Sequence, residues 1–159
     1  RKITTLPVEP LSILKACRDT RVMTAREAAE EGEVPVGAII VRDGEIIGKG
    51  RNRREIAKNA LAHAELEAIN EACRKLGGWQ LVNCTMYVTL EPCPMCAGAI
   101  INSRIDRLVQ GAYNPKAGSC GSIVNLFTLP YNHHPQVDSG VLEDECASVL
   151  KRFFKKLRK

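Results

Sequence analysis

Two short segments constrain this chain more than any other feature. They are His63-Ala64-Glu65 and Pro92-Cys93-Pro94-Met95-Cys96, each at a helix start that follows a strand-like run. Pro94 is a favoured first helical residue, so Cys93 and Cys96 fall at a helix N-terminus, about a turn apart and on one face. The free backbone N–H groups and partial positive charge at such an end favour thiolate over thiol. His63 and Glu65 impose a stricter condition. Residues i and i+2 inside a regular helix point about 200° apart, so these two side chains can serve one site only from a first turn. The spacing therefore predicts a helix that begins near His63.

Paired thiolates at this spacing suit zinc, with His63 as a third ligand. The count matters, because a structural zinc site is closed by four protein ligands whereas a catalytic one keeps a position for water. His133 and His134, the remaining histidines, lie in a loop and are the candidates for a fourth ligand. Two thiolates and a neutral imidazole leave a divalent centre formally neutral, which tempers its Lewis acidity. A nearby base is then needed to help ionise the water, and Glu65 is placed for that. Taken alone, Cys-x-x-Cys reads equally as a redox motif, a metal pair or chance, and His63 as an ordinary partly buried histidine. Together and in this order, the residues match the His-x-Glu and Pro-Cys-x-x-Cys signature of the zinc base deaminases.

Around these segments the pattern alternates. Helix formers run from Thr20 to Glu31 and stop at Gly32. Val34 to Val41 reads as a buried strand, and Asp43-Gly44 turns it into a returning strand from Glu45. Helices are expected over 62–76, 94–103 and 141–157, strands over 84–90 and 105–111, and a short element near Ile123 to Phe127. This order predicts an α/β fold, a three-layer α/β/α sandwich around a mixed central sheet. Residues 1–19 form an N-terminal arm whose structure the pattern does not define (11–17 being either a short helix or a mobile arm), and 20–159 a single domain. No run of about 18 apolar residues exists and Arg1-Lys2-Ile3 lacks the apolar core of a secretion signal, so no membrane span is expected. The seven cysteines are an odd count and suggest a reduced compartment; Cys17, Cys73, Cys84, Cys120 and Cys146 read as small buried apolar residues. The net charge of +5 slightly favours polyanionic partners, with positive charge concentrated from Lys151 to Lys159.

At these residues the chain resembles the cytidine-deaminase-like superfamily, and within it the bacterial tRNA adenosine deaminases. Glu33-Val34-Pro35-Val36-Gly37-Ala38, Ala62-His63-Ala64-Glu65 and the stretch from Tyr87 to Ile100 carry the resemblance. Gly111-Ala112, Pro115-Lys116, Gly121-Ser122, Asn132-His133 and Phe153-Phe154 extend it toward the tRNA-acting branch. The resemblance implies hydrolysis of adenosine to inosine at the wobble position of a tRNA anticodon, with one zinc ion per chain. It gives Glu65 the role of proton carrier to the ring and to departing ammonia, and it implies that Asn52 and the backbone N–H of Ala64 face the base. Asn114, Lys116, Asn132, Phe154 and Arg158 fall at positions expected to touch the RNA. It further implies a homodimer, an anticodon stem-loop as partner and a bacterial cytoplasm.

The chain departs from the family pattern in two places. Ala60 and Leu61 stand where Pro and Thr are usual, and Asn114 stands where an acidic residue is common; both bear on substrate choice and neither is a metal ligand. The basic C-terminal residues also read as a solvated helix end, Phe153 and Phe154 as core, and Asn52 as a turn residue. Three rival functions share some of these residues. A deaminase of free guanine shares both metal motifs, a zinc-stabilised RNA-binding module predicts a fourth protein ligand, and a thiol redox protein leaves His63 and Glu65 unexplained.

Overall fold

The computed structural model describes residues 11–158, with side-chain surroundings from residue 19. In chain order the elements are α1 (Leu11–Glu30), β1 (Gly37–Arg42), β2 (Glu45–Arg51), α2 (Ala64–Leu76), β3 (Cys84–Leu90), α3 (Pro94–Asn102), β4 (Arg107–Ala112), β5 (Gln136–Asp138) and α4 (Glu143–Leu157). A 3-10 turn spans Leu126–Thr128. The sheet order is β2-β1-β3-β4-β5. β1 is antiparallel to both of its neighbours, while β3, β4 and β5 run parallel, so the sheet is mixed.

Both faces of the sheet are covered. Ala38 and Ile40 of β1 and Met86 and Val88 of β3 pack with α2 and α3. Ile39, Val41 and Tyr87, one residue out of step, fill the opposite face with Val109, where α1 and α4 add Val22, Ala25, Cys146 and Val149. Alternate side chains of a strand point to opposite faces, and burial on both explains why these strands read as continuous apolar runs. The expected three-layer α/β/α sandwich is the observed fold. Among the described residues no helix is long and apolar enough to cross a membrane.

The boundaries differ from expectation in instructive places. Residues 11–17 are the first turns of α1, which runs on through Thr20; residues 1–10 lie outside the described residues. Buried Arg21 anchors this helix, donating to the carbonyls of Val88 (2.7 Å), Val109 (3.2 Å) and Val141. β5 escapes the sequence pattern because it has three residues, two of them exposed. α4 starts at Glu143 and not Val141, because Leu142 adopts a left-handed conformation (φ 58°) just before it. The element near Ile123 to Phe127 is a bridge between Cys120 and Asn125 followed by the 3-10 turn. The Asp43-Gly44 turn has both residues at positive φ (50° and 77°), as a tight hairpin with right-handed strands demands. Cys84, Cys120 and Cys146 are buried and Cys73 is half-buried; the side chain of Cys17 lies outside the described residues.

One glycine sets where α2 lies. A Cβ on Gly50 would sit 2.1 Å from the Ala64 carbonyl oxygen and 2.6 Å from the Ala68 nitrogen. Strand and helix meet there backbone to backbone, at the end of α2 that carries His63 and Glu65. Gly50→Ala is therefore expected to push α2 off the sheet at a cost of about 1–3 kcal/mol. A urea titration should show a lower midpoint with an unchanged slope; an unshifted midpoint would mean that the contact relaxes freely.

Candidate active site

His63 is the N-cap of α2, in an extended conformation (φ −83°, ψ 152°). Cys93 is the N-cap of α3 and also extended (φ −73°, ψ 175°). Neither side chain caps its own helix; both turn into the gap between the two helix starts. The expected start of a helix near His63 is thus observed, and it lets His63 and Glu65 reach one site. His63 Nδ1 lies 3.7 Å from Cys93 Sγ and 3.5 Å from Cys96 Sγ. In a tetrahedral zinc site with ordinary bond lengths, nitrogen and sulfur ligands stand about 3.6 Å apart. The three ligand atoms all lie within 4.8 Å of one another, and they form the one such cluster among the described residues. The donor set fits a metal. His133 is buried with its Nε2 2.7 Å from the Ile105 carbonyl, and His134 is 2.8 Å from that of Leu129, so each is engaged away from this cluster.

Protonation within the cluster follows from its contacts. A hydrogen bond from Cys96 draws the Cys93 thiol down to about 4 against the opposing effect of burial, and His63 adds to the lowering. Cys96 is pushed up in return by the Cys93 thiolate and by its own burial. His63 is raised, chiefly by its hydrogen bond to Cys93. A bound cation would take the place of the protons that these groups share. Glu65, in the first turn of α2, is 4% exposed, and burial raises its carboxyl above the usual range.

These groups open onto a small cleft of about 220 Å³, lined by Asn52, Arg54, His63, Ala64, Glu65, Glu91, Cys93, Asn114 and the apolar Val34, Val36, Leu90 and Ala117. Of the residues expected from sequence, Asn52, His63, Ala64, Glu65, Cys93 and Asn114 line it, and Cys96 is buried beside His63. Asn52 is no plain turn residue. It is 7% exposed, donates from Nδ2 to the Val34 carbonyl (3.1 Å) and accepts the Arg54 N–H (3.2 Å). Its amide keeps one further hydrogen and one further lone pair. Lys116, Asn132, Phe154 and Arg158 are exposed and are not part of the lining. Phe154 stacks edge-on against half-buried Phe153 with ring centroids 5.4 Å apart, leaving it 42% exposed and outside the core. Ala60 and Leu61 are likewise exposed, on the loop before α2.

Sequence reasoning did not single out Arg54, Glu33 or Glu91. Glu33 is buried and accepts the N–H groups of Glu55 and Ile56, at 3.0 Å each, from the loop that follows Asn52. Glu91 does the same for the loop that carries Asn114. Burial opposes its charge, but hydrogen bonds from Ser122, Asn114 and Cys120 outweigh that and hold it below the usual carboxylate range. A carboxylate next to Pro92-Cys93 was the available signal; its partners come from elsewhere in the chain.

The profile of the MafB19-like deaminase family matches residues 15–158. A tRNA-specific adenosine deaminase of Bacillus subtilis is 50% identical over 139 residues, which cover 87% of this chain and 86% of that protein. A solved structure from biochemical and structural studies of A-to-I editing by tRNA:A34 deaminases superposes with a TM-score of 0.83. It shares 44% identity and covers 86% of this chain and 99% of its own. A guanine deaminase of Bacillus subtilis is more distant, with a TM-score of 0.61 and 31% identity over 91% of this chain and 94% of that one. With the two helix starts, the His63–Cys93–Cys96 cluster that could hold a metal and the buried carboxylate all in place, the chain belongs to the deaminases, in the family of the bacterial tRNA-specific adenosine deaminases.

Proposed function

We propose that this chain hydrolyses adenosine to inosine at the wobble position of a tRNA anticodon, through one zinc ion per chain held by His63, Cys93 and Cys96. The observation that carries the reading is the meeting of two helix N-termini around three metal-ligating atoms, with a buried carboxyl beside them in a cleft. When bound, zinc supplies the Lewis acidity that makes water a nucleophile near neutral pH. The protein's own groups do the rest.

Glu65 is suited to moving protons. Its raised pKa brings it closer to the pH of operation, which is where a general acid–base group works best. It takes a proton from the attacking water and passes it to the ring nitrogen as C6 becomes tetrahedral, then carries the remaining proton of the new C6 hydroxyl to the amino group, so that the C6–N bond breaks, the carbonyl forms and ammonia departs. One water enters for each ammonia that leaves. Asn52 retains one donor and one acceptor for the edge of the purine. The N–H of Ala64, at the first position of α2, belongs to the set that has no intrahelical acceptor, and Ala64 lines the same cleft. Val34, Val36 and Leu90 give the ring an apolar seat and exclude water. A base can enter such a cleft only when it is turned out of its stack.

Outside the cleft, Lys116, Asn132, Phe154 and Arg158 are assigned to the surrounding anticodon loop. Arg158 and its basic neighbours neutralise phosphates, and exposed Phe154 offers a stacking face. Residues 20–159 act as one catalytic domain, working as a homodimer in the cytoplasm. A short anticodon stem-loop with adenosine at the wobble position tests the assignment: the zinc-loaded protein should convert that adenosine to inosine within the RNA, with release of ammonia, and leave free guanine untouched. Turnover of guanine with no inosine would replace this reading with the free-base one.

A further inference from the structure

We infer that Glu91 is the positioning residue of the cleft wall formed by 114–117, and through that wall governs how the substrate is held; the inference rests on the adenosine reading above. Glu91 is 1% exposed, and its carboxylate gathers four donors from a segment more than twenty residues away. Oε1 accepts the N–H of Asn114 (3.2 Å) and the hydroxyl of Ser122. Oε2 accepts the N–H groups of Cys120 (3.1 Å) and Ser122 (2.9 Å).

The segment is built to close on this anchor. Asn114 accepts the N–H of Ala117 on its side chain (3.2 Å) and that of Gly118 on its carbonyl (2.8 Å). A Cβ on Gly118 would lie 2.3 Å from Glu91 Oε2, so only glycine lets the turn wrap so closely around the carboxylate. Asn114 and Ala117 then form part of the wall of the cleft that Asn52 also lines. Glu91 lines the cleft as well, but all four of these hydrogen bonds run to the segment 114–122, whose first part is the wall, and not to the metal ligands. It acts on the substrate through Asn114.

The geometry also says what an isosteric change does. In Glu91→Gln one oxygen becomes an NH2 donor. At Oε2 it would confront two backbone N–H donors. At Oε1 it meets the Ser122 hydroxyl, which can rotate and accept, and the Asn114 N–H, which cannot. The substitution therefore frees Asn114 selectively and leaves Cys120 and Ser122 held.

The test is a double-mutant cycle of Glu91→Gln with Asn114→Ala, read as kcat/KM per zinc-loaded molecule on the stem-loop substrate. Glu91→Gln is expected to keep its zinc and to lose roughly ten- to a hundredfold, as small misplacements of binding groups do. The double variant should be no worse than the worse single one, since both changes remove the same positioned contact. An unaffected Glu91→Gln, or losses that multiply in the double variant, would overturn the inference, because a purely structural role changes the folded fraction and not the coupling. Should Glu91→Gln fail to fold, Ser122→Ala removes a single bond to the carboxylate. It should cost roughly two- to tenfold, again without multiplying in the Asn114→Ala background, and full activity there would overturn the inference equally. Wild-type protein that makes no inosine overturns both readings; active wild type with an unaffected Glu91→Gln overturns this one alone.

Discussion

Cys96→Ala is expected to strip the chain of its metal and to lower deamination by at least about a thousandfold. Cys96 is fully buried, with its sulfur 3.5 Å from His63 Nδ1, and no other histidine faces the cluster. Two ligands would remain, and neither could be recruited into a stable site. The loss is compounded by the role of Cys96 toward its neighbour. In the metal-free chain its hydrogen bond is the largest influence that lowers the Cys93 thiol, so Cys93 of the variant should hold its proton more tightly. Metal binding favours the folded chain, so the variant should also melt earlier than zinc-loaded wild type and match wild type stripped by a chelator. Zinc content by atomic absorption, alongside inosine formation in the stem-loop, is the measurement. A variant that retains a full equivalent of zinc and its activity would show that these three residues are not the ligand set.

Glu65→Gln separates chemistry from metal binding. It keeps the shape of the side chain and removes its ability to carry protons, so zinc should stay bound while kcat falls by about a hundred- to ten-thousandfold. KM should change much less, as expected when an interaction of the transition state alone is lost. Stability moves the other way. Burial raises the carboxyl of Glu65, so the folded metal-free chain holds this proton more tightly than the unfolded chain does. Between the two pKa values the folded state binds more protons, and stability falls as pH rises through that window. Metal-free Glu65→Gln lacks this liability and should be the more stable protein above the ordinary carboxylate range. Parallel urea titrations at acidic and neutral pH would show the gap widening with pH; a constant gap would mean that the carboxylate is better solvated than its burial indicates.

What could be read from the chain was local. Runs such as Cys84–Leu90 announce a strand by composition, and the strand has those bounds. The start of α2 followed from geometry, because His63 and Glu65 cannot face one another from the middle of a helix. Ligand chemistry is local too: Cys93 and Cys96 are one turn apart, and Pro94 says where the helix begins. Asn52, Ala64 and Asn114 were placed by resemblance, and the fold does bring them to the cleft.

Everything that depended on distant partners was decided by the tertiary structure. Glu33, Glu91 and Arg21 carry no periodic signal. They are buried because backbone groups from loops and strands more than twenty residues away arrive to satisfy them, and an ionised group can be buried only where such partners converge. β5 is too short to show a pattern and exists because β4 offers it an edge. The same holds for Lys116, Asn132, Phe154 and Arg158, whose exposure outside the cleft is a matter of where loops and the last helix come to rest. Sequence by itself determined the starts of α2 and α3 and singled out His63, Cys93 and Cys96 as candidate metal-binding groups, since both arise among neighbours along the chain. The walls of the cleft were left to the fold, since they are held by hydrogen bonds between residues that only folding brings together.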